Sequence, residues 1–428
     1  MIEIISKKED VLNYFEVLKK RGEVNTGEYS KIVKDILDDI EKNGDLALEK
    51  YTKKFDDENF SIKDIEVSKE EQKEAFLSLE PKLRQTLLKS KDRIYSFHTH
   101  QRRESFEYKD QIGVKLGQKI TPLEKVGVYV PGGKAVYPSS VLMNVMPALV
   151  AGVKEIIMVS PAVNGKVNPL VLAAAYISNV THFYKVGGAQ AIGALAYGTK
   201  SISKVDKIVG PGNIFVALAK REVYGLVGID SIAGPSEICI IADDTCHEKF
   251  VASDLLGQAE HDMQASSTLL ITSMEKALKI KEELINYYNT SSRKEILDSS
   301  LTNYSKIIVV DSIDEAIDYA NKIAPEHLEI AMDNARDYLK RIKNAGAIFL
   351  GHYSAESLGD YMAGPNHVLP TVSTARFFSP LSVDDFIKKS SIIEFDEASC
   401  NLLIDDVNTF ALAEGLEMHA LSAMVRKS

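Results

Sequence analysis

The chain has 428 residues, 45% hydrophobic and 26% charged, the balance of a soluble globular protein with room for two or more domains. With 61 acidic against 51 basic residues its net charge is −10, which opposes attraction to nucleic acid or an anionic membrane surface. No apolar run approaches the ~18 residues of a membrane span, so neither nucleic acid nor membrane is an expected partner.

The N-terminus, Met1-Ile2-Glu3-Ile4-Ile5-Ser6-Lys7-Lys8, lacks the basic stretch and apolar region of an export signal. The three cysteines, Cys239, Cys246 and Cys400, are odd in number and show no Cys-x-x-Cys spacing, which fits free thiols in a reducing compartment. A cytoplasmic protein is expected. Between Glu28 and Phe55 the residues Ile32, Val33, Ile36, Leu37 and Ile40 recur at helical spacing, and Ser68-Lys69-Glu70-Glu71 reads as a capping box opening a second long helix. His98 and His100, beside Arg102 and Arg103, read as a solvated helix end without chemistry.

From Val126 onward short β-rich runs alternate with helical ones: Val126-Gly127-Val128-Tyr129-Val130, Ile156-Ile157-Met158-Val159, His182-Phe183-Tyr184 and Lys207-Ile208-Val209. That alternation predicts βαβ units and a parallel sheet. Glycines follow three of the runs, in Pro131-Gly132-Gly133, Gly187-Gly188-Ala189-Gln190 and Gly210-Pro211-Gly212-Asn213, and would let a ligand approach the backbone at the carboxyl edge. A strict G-x-G-x-x-G fingerprint is absent, so plain βα turns account for the pattern equally well. A second set of strands is predicted at 237–241, 268–271, 307–310 and 347–350, with helices between them.

The fold expected is therefore α/β: two incomplete Rossmann-like doubly wound domains, an N-terminal helical arm over 1–25, and a C-terminal helical tail over 381–428. Residues 26–125 and 237–380 are grouped as the first, discontinuous domain, and 126–236 as a second domain inserted in it. The tail carries Leu402, Leu403, Val407, Phe410, Leu412, Leu416 and Leu421, more apolar residues than one helical stripe needs, so a partner subunit is its natural cover.

Polar residues interrupt apolar surroundings at Gln258-Ala259-Glu260-His261, Glu326-His327, Gly359-Asp360-Tyr361 and Glu417-Met418-His419. Gln258 and His261 stand three apart, on one face if the helix continues through both. A polar helix surface would show the same pair, and a lone Glu-His dipeptide is common on surfaces. A divalent ion that accepts imidazole nitrogen and carboxylate oxygen, zinc first among them, has potential ligands in His261, His419 and Asp360, with Gln258 as a neutral oxygen. Glu326 and His327 are of the types that divide acid and base roles. A zinc hydrolase would use the same set but would not need the glycine-rich sheet edges.

Read together, several long stretches resemble the histidinol dehydrogenase family: Val-Gly-Val-Tyr-Val-Pro-Gly-Gly at 126–133, Tyr-Pro-Ser-Ser-Val-Leu-Met-Asn at 137–144, Val-Gly-Pro-Gly-Asn at 209–213, Ala-Gly-Pro-Ser-Glu at 233–237, Ala-Pro-Glu-His-Leu-Glu at 324–329 and Gly-Asp-Tyr-Met-Ala-Gly-Pro-Asn-His-Val-Leu-Pro-Thr at 359–371. The first hundred residues resemble the family mainly through Phe97-His98-Thr99-His100-Gln101. The resemblance implies oxidation of L-histidinol to L-histidine, the last two steps of histidine biosynthesis, with two NAD molecules and one zinc ion per site. It makes Gln258, His261, Asp360 and His419 the zinc ligands and Glu326 and His327 the catalytic pair. Ser236, His327 and Glu414 join the four ligands around the substrate, and Tyr129, Gln190 and Asn213 contact NAD. It further implies a homodimer with shared sites, the tail being exchanged so that Glu414 and His419 serve the other chain.

Overall fold

The apolar runs assemble into two separate parallel sheets in the computed structural model, which describes residues 1–21, 27–132, 137–232 and 234–428. Residues 22–25 of the expected arm, Gly133 of the first glycine turn and Ala233 lie outside the described residues. One sheet has five strands in the order His182–Tyr184, Glu155–Val159, Lys125–Tyr129, Lys207–Val209, Gly228–Ile229, every neighbour parallel. The chain enters at the centre, steps outward twice, then crosses to the other side, so its direction of winding reverses between Lys125–Tyr129 and Lys207–Val209. The six-stranded sheet runs Glu3–Ile5, Lys306–Val309, Ser266–Ile271, Glu237–Ala242, His327–Ala331, Ala347–Leu350, again all parallel. Without its first strand it repeats the same winding, with the reversal between Glu237–Ala242 and His327–Ala331.

Both sheets are covered on both faces, which is why their strands read as near-continuous apolar runs. In the five-stranded sheet Val126, Val128, Ile156 and Met158 face the helix Pro138–Ala151, while Tyr129, Ile157 and Val159 face the helix Gly188–Tyr197. In the other sheet Ile238, Ile240 and Leu269 lie under Glu248–Ala259 and Met274–Thr290, and Cys239, Ile241 and Leu328 lie under Lys8–Lys20 and Ile313–Ile323.

Three expectations change. Residues 1–21 are no separate arm: Glu3–Ile5 is an edge strand and the helix Lys8–Lys20 buries Val11, Tyr14, Phe15 and Leu18 against the six-stranded sheet. Residues 27–99 cover the five-stranded sheet, not the six-stranded one with which the sequence groups them. Val33, Ile36, Leu37 and Ile40 share a core with Tyr129 and Ile157, and Ala75 and Ile94 share one with Val126. These residues form four helices, not two long ones: Gly27–Asn43 and Asp45–Phe55 meet at Gly44, and Lys69–Ser78 stops before Pro81–Thr99. Ser68 does cap its helix, accepting from the Glu71 amide at 3.1 Å.

The C-terminal tail is not wholly helical either. Its strand Ile387–Glu394 pairs antiparallel with Lys115–Pro122, which pairs in turn with Phe106–Lys109. Beyond it Glu397–Ala413 and Glu417–Met424 form a hairpin whose helices pack chiefly on each other. Leu402 at 63% and Phe410 at 70% exposure show that the apolar excess is left uncovered by its own chain.

Candidate active site

Two neighbouring strands set the centre of the site. His327 opens the strand His327–Ala331 opposite Ile238, so Glu326 and His327 stand at the amino edge of the six-stranded sheet, on the line where the winding reverses. The next strand fixes Glu326 from the other side: Ala347 donates its amide to the Glu326 carbonyl at 2.8 Å, and a Cβ on Gly346 would come within 2.6 Å of that oxygen. Helix Glu248–Ala259 runs back over the sheet and delivers Gln258, fully buried, to the same edge. His261 does not share its helix face. The helix ends at Ala259, and a turn closed by the His261 amide on the Gln258 carbonyl carries His261 to the edge.

The fourth contribution is the segment Glu356–Leu358 and the wide turn Gly359–Ala363 that continues it. Four residues apart, Glu356 and Asp360 point to one side, and with His261 they bring one donor atom each within 4.8 Å of one another. The Gln258 carboxamide lies between His327 Nδ1, 3.1 Å away, and the nearer Glu356 oxygen at 3.0 Å. The Asp360 segment is moored to the other domain: Ser90 Oγ donates to the Tyr361 carbonyl at 2.6 Å, and Asn366 donates to the Met143 carbonyl at 2.6 Å. His98 is part of this mooring. It is wholly buried, 3.3 Å from Asn366 and 2.7 Å from Gln101, not a solvated helix end.

Burial governs the electrostatics. It raises the Glu326 and Glu356 carboxyls well above the usual range and Asp360 to about 6; neighbouring carboxylates push Glu326 and Glu356 further up. It lowers the His261 imidazole, His327 to about 3 and His367 to about 4. His327 Nδ1 lies 3.2 Å from the Glu237 carbonyl, which only accepts, so the ring proton belongs on Nδ1 and Nε2 keeps its lone pair. Nε2 is buried and has no hydrogen-bond partner among the described residues. Glu326 Oε2 accepts the Glu237 amide at 3.0 Å. A cavity of about 910 Å³ opens on this edge, lined by His327, Asp360, His367, Phe97 and Phe349.

Ser236 immediately precedes the strand Glu237–Ala242 at the same edge. Glu414 and His419 do not join the cluster: both are exposed on the C-terminal hairpin. The residues present nevertheless fit a divalent cation. Uncharged imidazole and closely spaced carboxylate oxygens are ligands zinc accepts, and a cation would offset the repulsion that now raises Glu356.

Tyr129, Gln190 and Asn213 gather elsewhere, at the carboxyl edge of the five-stranded sheet. Tyr129 ends the central strand and its hydroxyl accepts the Gly188 amide at 3.1 Å. Gln190, buried in the first turn of Gly188–Tyr197, donates to Asp56 at 3.2 Å, and Asn213 caps Ile214–Val223 by accepting from Phe215 and Val216. Gly210 turns between them at φ +110°, where a Cβ would strike the Tyr129 carbonyl. Sequence reasoning missed Glu356, His367 and Asp56. Glu356 left a trace in its four-residue spacing to Asp360, and His367 lies within the stretch 359–371; Asp56 left none.

A sequence model of the histidinol dehydrogenase family matches residues 19–427. The histidinol dehydrogenase of Clostridium acetobutylicum is 53% identical over 414 residues, spanning 96% of each chain. That of Aquifex aeolicus is 52% identical over 428 residues, spanning 100% of this chain and 99% of the relative. The crystal structure of histidinol dehydrogenase from Elizabethkingia anophelis is similar in fold, with a TM-score of 0.94 at 37% identity, over 99% of this chain and 98% of that one.

Proposed function

Because the chain belongs to the histidinol dehydrogenase family, we propose that it oxidises L-histidinol through L-histidinaldehyde to L-histidine, with one zinc ion per site and two NAD molecules per turnover. Family membership makes it an oxidoreductase acting on histidinol in histidine biosynthesis. The observation that carries the finer reading is His327: its Nδ1 is turned toward a carbonyl and its Nε2 is bare and buried, beside the donor cluster of His261, Glu356 and Asp360.

In this reading Gln258, His261 and Asp360 hold the zinc, with His419 added from a second chain. The zinc, when bound, positions the substrate's imidazole and amine, and NAD at Tyr129, Gln190 and Asn213 accepts the hydride of each oxidation. His327 Nε2 takes the hydroxyl proton as the alcohol loses its hydride, leaving the aldehyde. Glu326, made more basic by burial, then takes a proton from the water that adds to the aldehyde carbon. His327 returns its proton to the aldehyde oxygen as the water adds, and the resulting hydrate gives up a second hydride and, to the freed His327 Nε2, a second proton. Ser236 and, from the second chain, Glu414 complete the substrate contacts. Holding the aldehyde between steps requires the site to close over it. The exposed apolar face of the C-terminal hairpin supports the dimer, because such a face calls for a cover. Purified protein supplied with histidinol and NAD should release two NADH per histidinol and stop on chelation; a ratio of one, or turnover indifferent to chelator, contradicts the reading.

A further inference from the structure

We infer that Arg21 and Glu237 are positioning residues for the Glu326–His327 pair: a buried ion pair that fixes the one residue whose backbone holds both side chains. The inference rests on the proton-transfer roles proposed above for Glu326 and His327. Glu237 is the first residue of its strand, and the ladder to the neighbouring strand begins one residue later, at Ile238 opposite His327. On that side, side chains take the place of ladder partners. The Glu237 amide donates to Glu326 Oε2 at 3.0 Å, and its carbonyl receives His327 Nδ1 at 3.2 Å. A shift of this residue would displace both proton-transfer groups together and would loosen the bond that keeps the His327 proton on Nδ1.

What holds Glu237 comes from distant parts of the chain. Arg21, at the end of the helix Lys8–Lys20, donates through Nη2 to Glu237 Oε2 at 2.5 Å and to the Pro235 carbonyl at 3.2 Å. The side chains of the pair are 0% and 4% exposed. Burial raises the Glu237 carboxyl, while Arg21 and the facing backbone amides of Ser373 and Val372 draw it down. Val372 and Ser373 adopt φ of +51° and +61°, a strained conformation for a β-branched residue, and are tied by Ser373 Oγ to the Ile323 carbonyl at 2.6 Å. The preceding Thr371 hydroxyl accepts the Gly234 amide at 2.6 Å, so the approach to Glu237 is secured as well.

A buried ion pair is a poor means of adding stability, because desolvation offsets the attraction, and apolar side chains of similar volume often serve as well. Its worth here lies in direction: one guanidinium nitrogen, Nη2, donates to both a carboxylate and the carbonyl two residues earlier. Neither residue needs to touch substrate. The pair also gives the N-terminal helix a part in catalysis, which an independent arm would not have.

The test compares wild type, Arg21→Lys, Arg21→Met and the double variant Arg21→Met/Glu237→Met in steady-state kinetics, with zinc content and circular dichroism recorded for each. Arg21→Met should lower kcat by ~10²-fold, the scale of a misplacement near 1 Å, with KM for NAD and bound zinc unchanged. Arg21→Lys keeps the charge but loses the rigid planar guanidinium that sets where Nη2 lies, and should recover part of kcat. Because Arg21→Met leaves a buried carboxylate unpaired, it can fail by unfolding; the double variant removes both charges and should fold while kcat remains at least ~10-fold low. A folded double variant with wild-type kcat overturns the inference, and so does its failure to fold, which would make the pair structural. Loss of zinc in step with kcat also overturns it. Absence of NADH from wild type would instead defeat the proposed reaction.

Discussion

The two parallel sheets wind alike, yet they put their polar residues at opposite ends. In the five-stranded sheet the expected cofactor residues stand where strands finish, with Tyr129 and Gly210 on either side of the winding reversal. In the six-stranded sheet Glu326, His327 and Gln258 stand where strands begin. Its carboxyl edge is already filled at the reversal: the Asp333 amide donates to Thr245 Oγ1 at 2.9 Å, His352 Nε2 lies 3.1 Å from Asp333, and the His247 and His352 rings meet edge to face at 5.0 Å. The winding creates a crevice at the reversal, as in other open α/β sheets. At the six-stranded sheet's reversal the carboxyl end is occupied, and a helix such as Glu248–Ala259 returns a polar residue to the strand starts.

If that contrast is functional, damage should divide by edge. The largest effect is expected at the donor cluster. His261→Asn and Asp360→Ala should lose zinc and essentially all activity while the fold persists, since the ion would sit at the sheet edge, beside cores that are complete without it. Metal analysis beside circular dichroism checks this, and global unfolding on zinc loss would sink it. Next, His327→Asn should depress both oxidations by ~10²- to 10⁴-fold, whereas Glu326→Gln should slow chiefly the conversion of aldehyde to acid. Equal damage to both steps in Glu326→Gln, measured with supplied aldehyde, would contradict the division of roles.

The exposed hairpin makes a third test, because it would complete the same edge from another chain. Inactive His327→Asn and His419→Asn subunits, mixed and exchanged, should regain roughly a quarter of wild-type activity: about half the dimers are mixed, each with one intact site. Background activity after exchange verified by mass spectrometry would place the tail in its own subunit.

The smallest effect belongs to the other edge. Asp56 accepts from the Gly187 amide and Gln190, so Asp56→Asn should raise KM for NAD a few-fold, roughly the worth of one weakened hydrogen bond, and leave bound zinc unchanged. Burial raises its carboxyl to about 6 from 3.8. A carboxyl whose folded value is raised favours the folded state below its unfolded value and loses that contribution as pH rises through the folded one. Wild type should therefore lose stability relative to Asp56→Asn between about pH 4 and about 6, as urea midpoints at both ends would show; parallel midpoints would contradict the buried assignment.

Much of the site was legible locally. Strand runs, the glycines at 187–188 and 210, and the polar interruptions at Gln258, His261, Glu326 and Asp360 depend on neighbours in the chain, and the pattern of strands and helices anticipated two α/β units. Helix ends were less legible. His261 sits beyond its helix because the last turn closes at Ala259, a boundary that periodicity does not mark.

What the sequence determined by itself was the local structure and the residue types for the chemistry, because backbone propensity and side-chain pattern act over a few residues. Tertiary structure decided which sheet residues 1–21 and 27–99 cover, that Glu356 joins His261 and Asp360, and that Arg21 reaches Glu237 across the chain. It also left Glu414 and His419 outside the cluster their own chain builds. The reason is physical: a charge's worth depends on burial and on the partner it meets there, and that partner can lie hundreds of residues away.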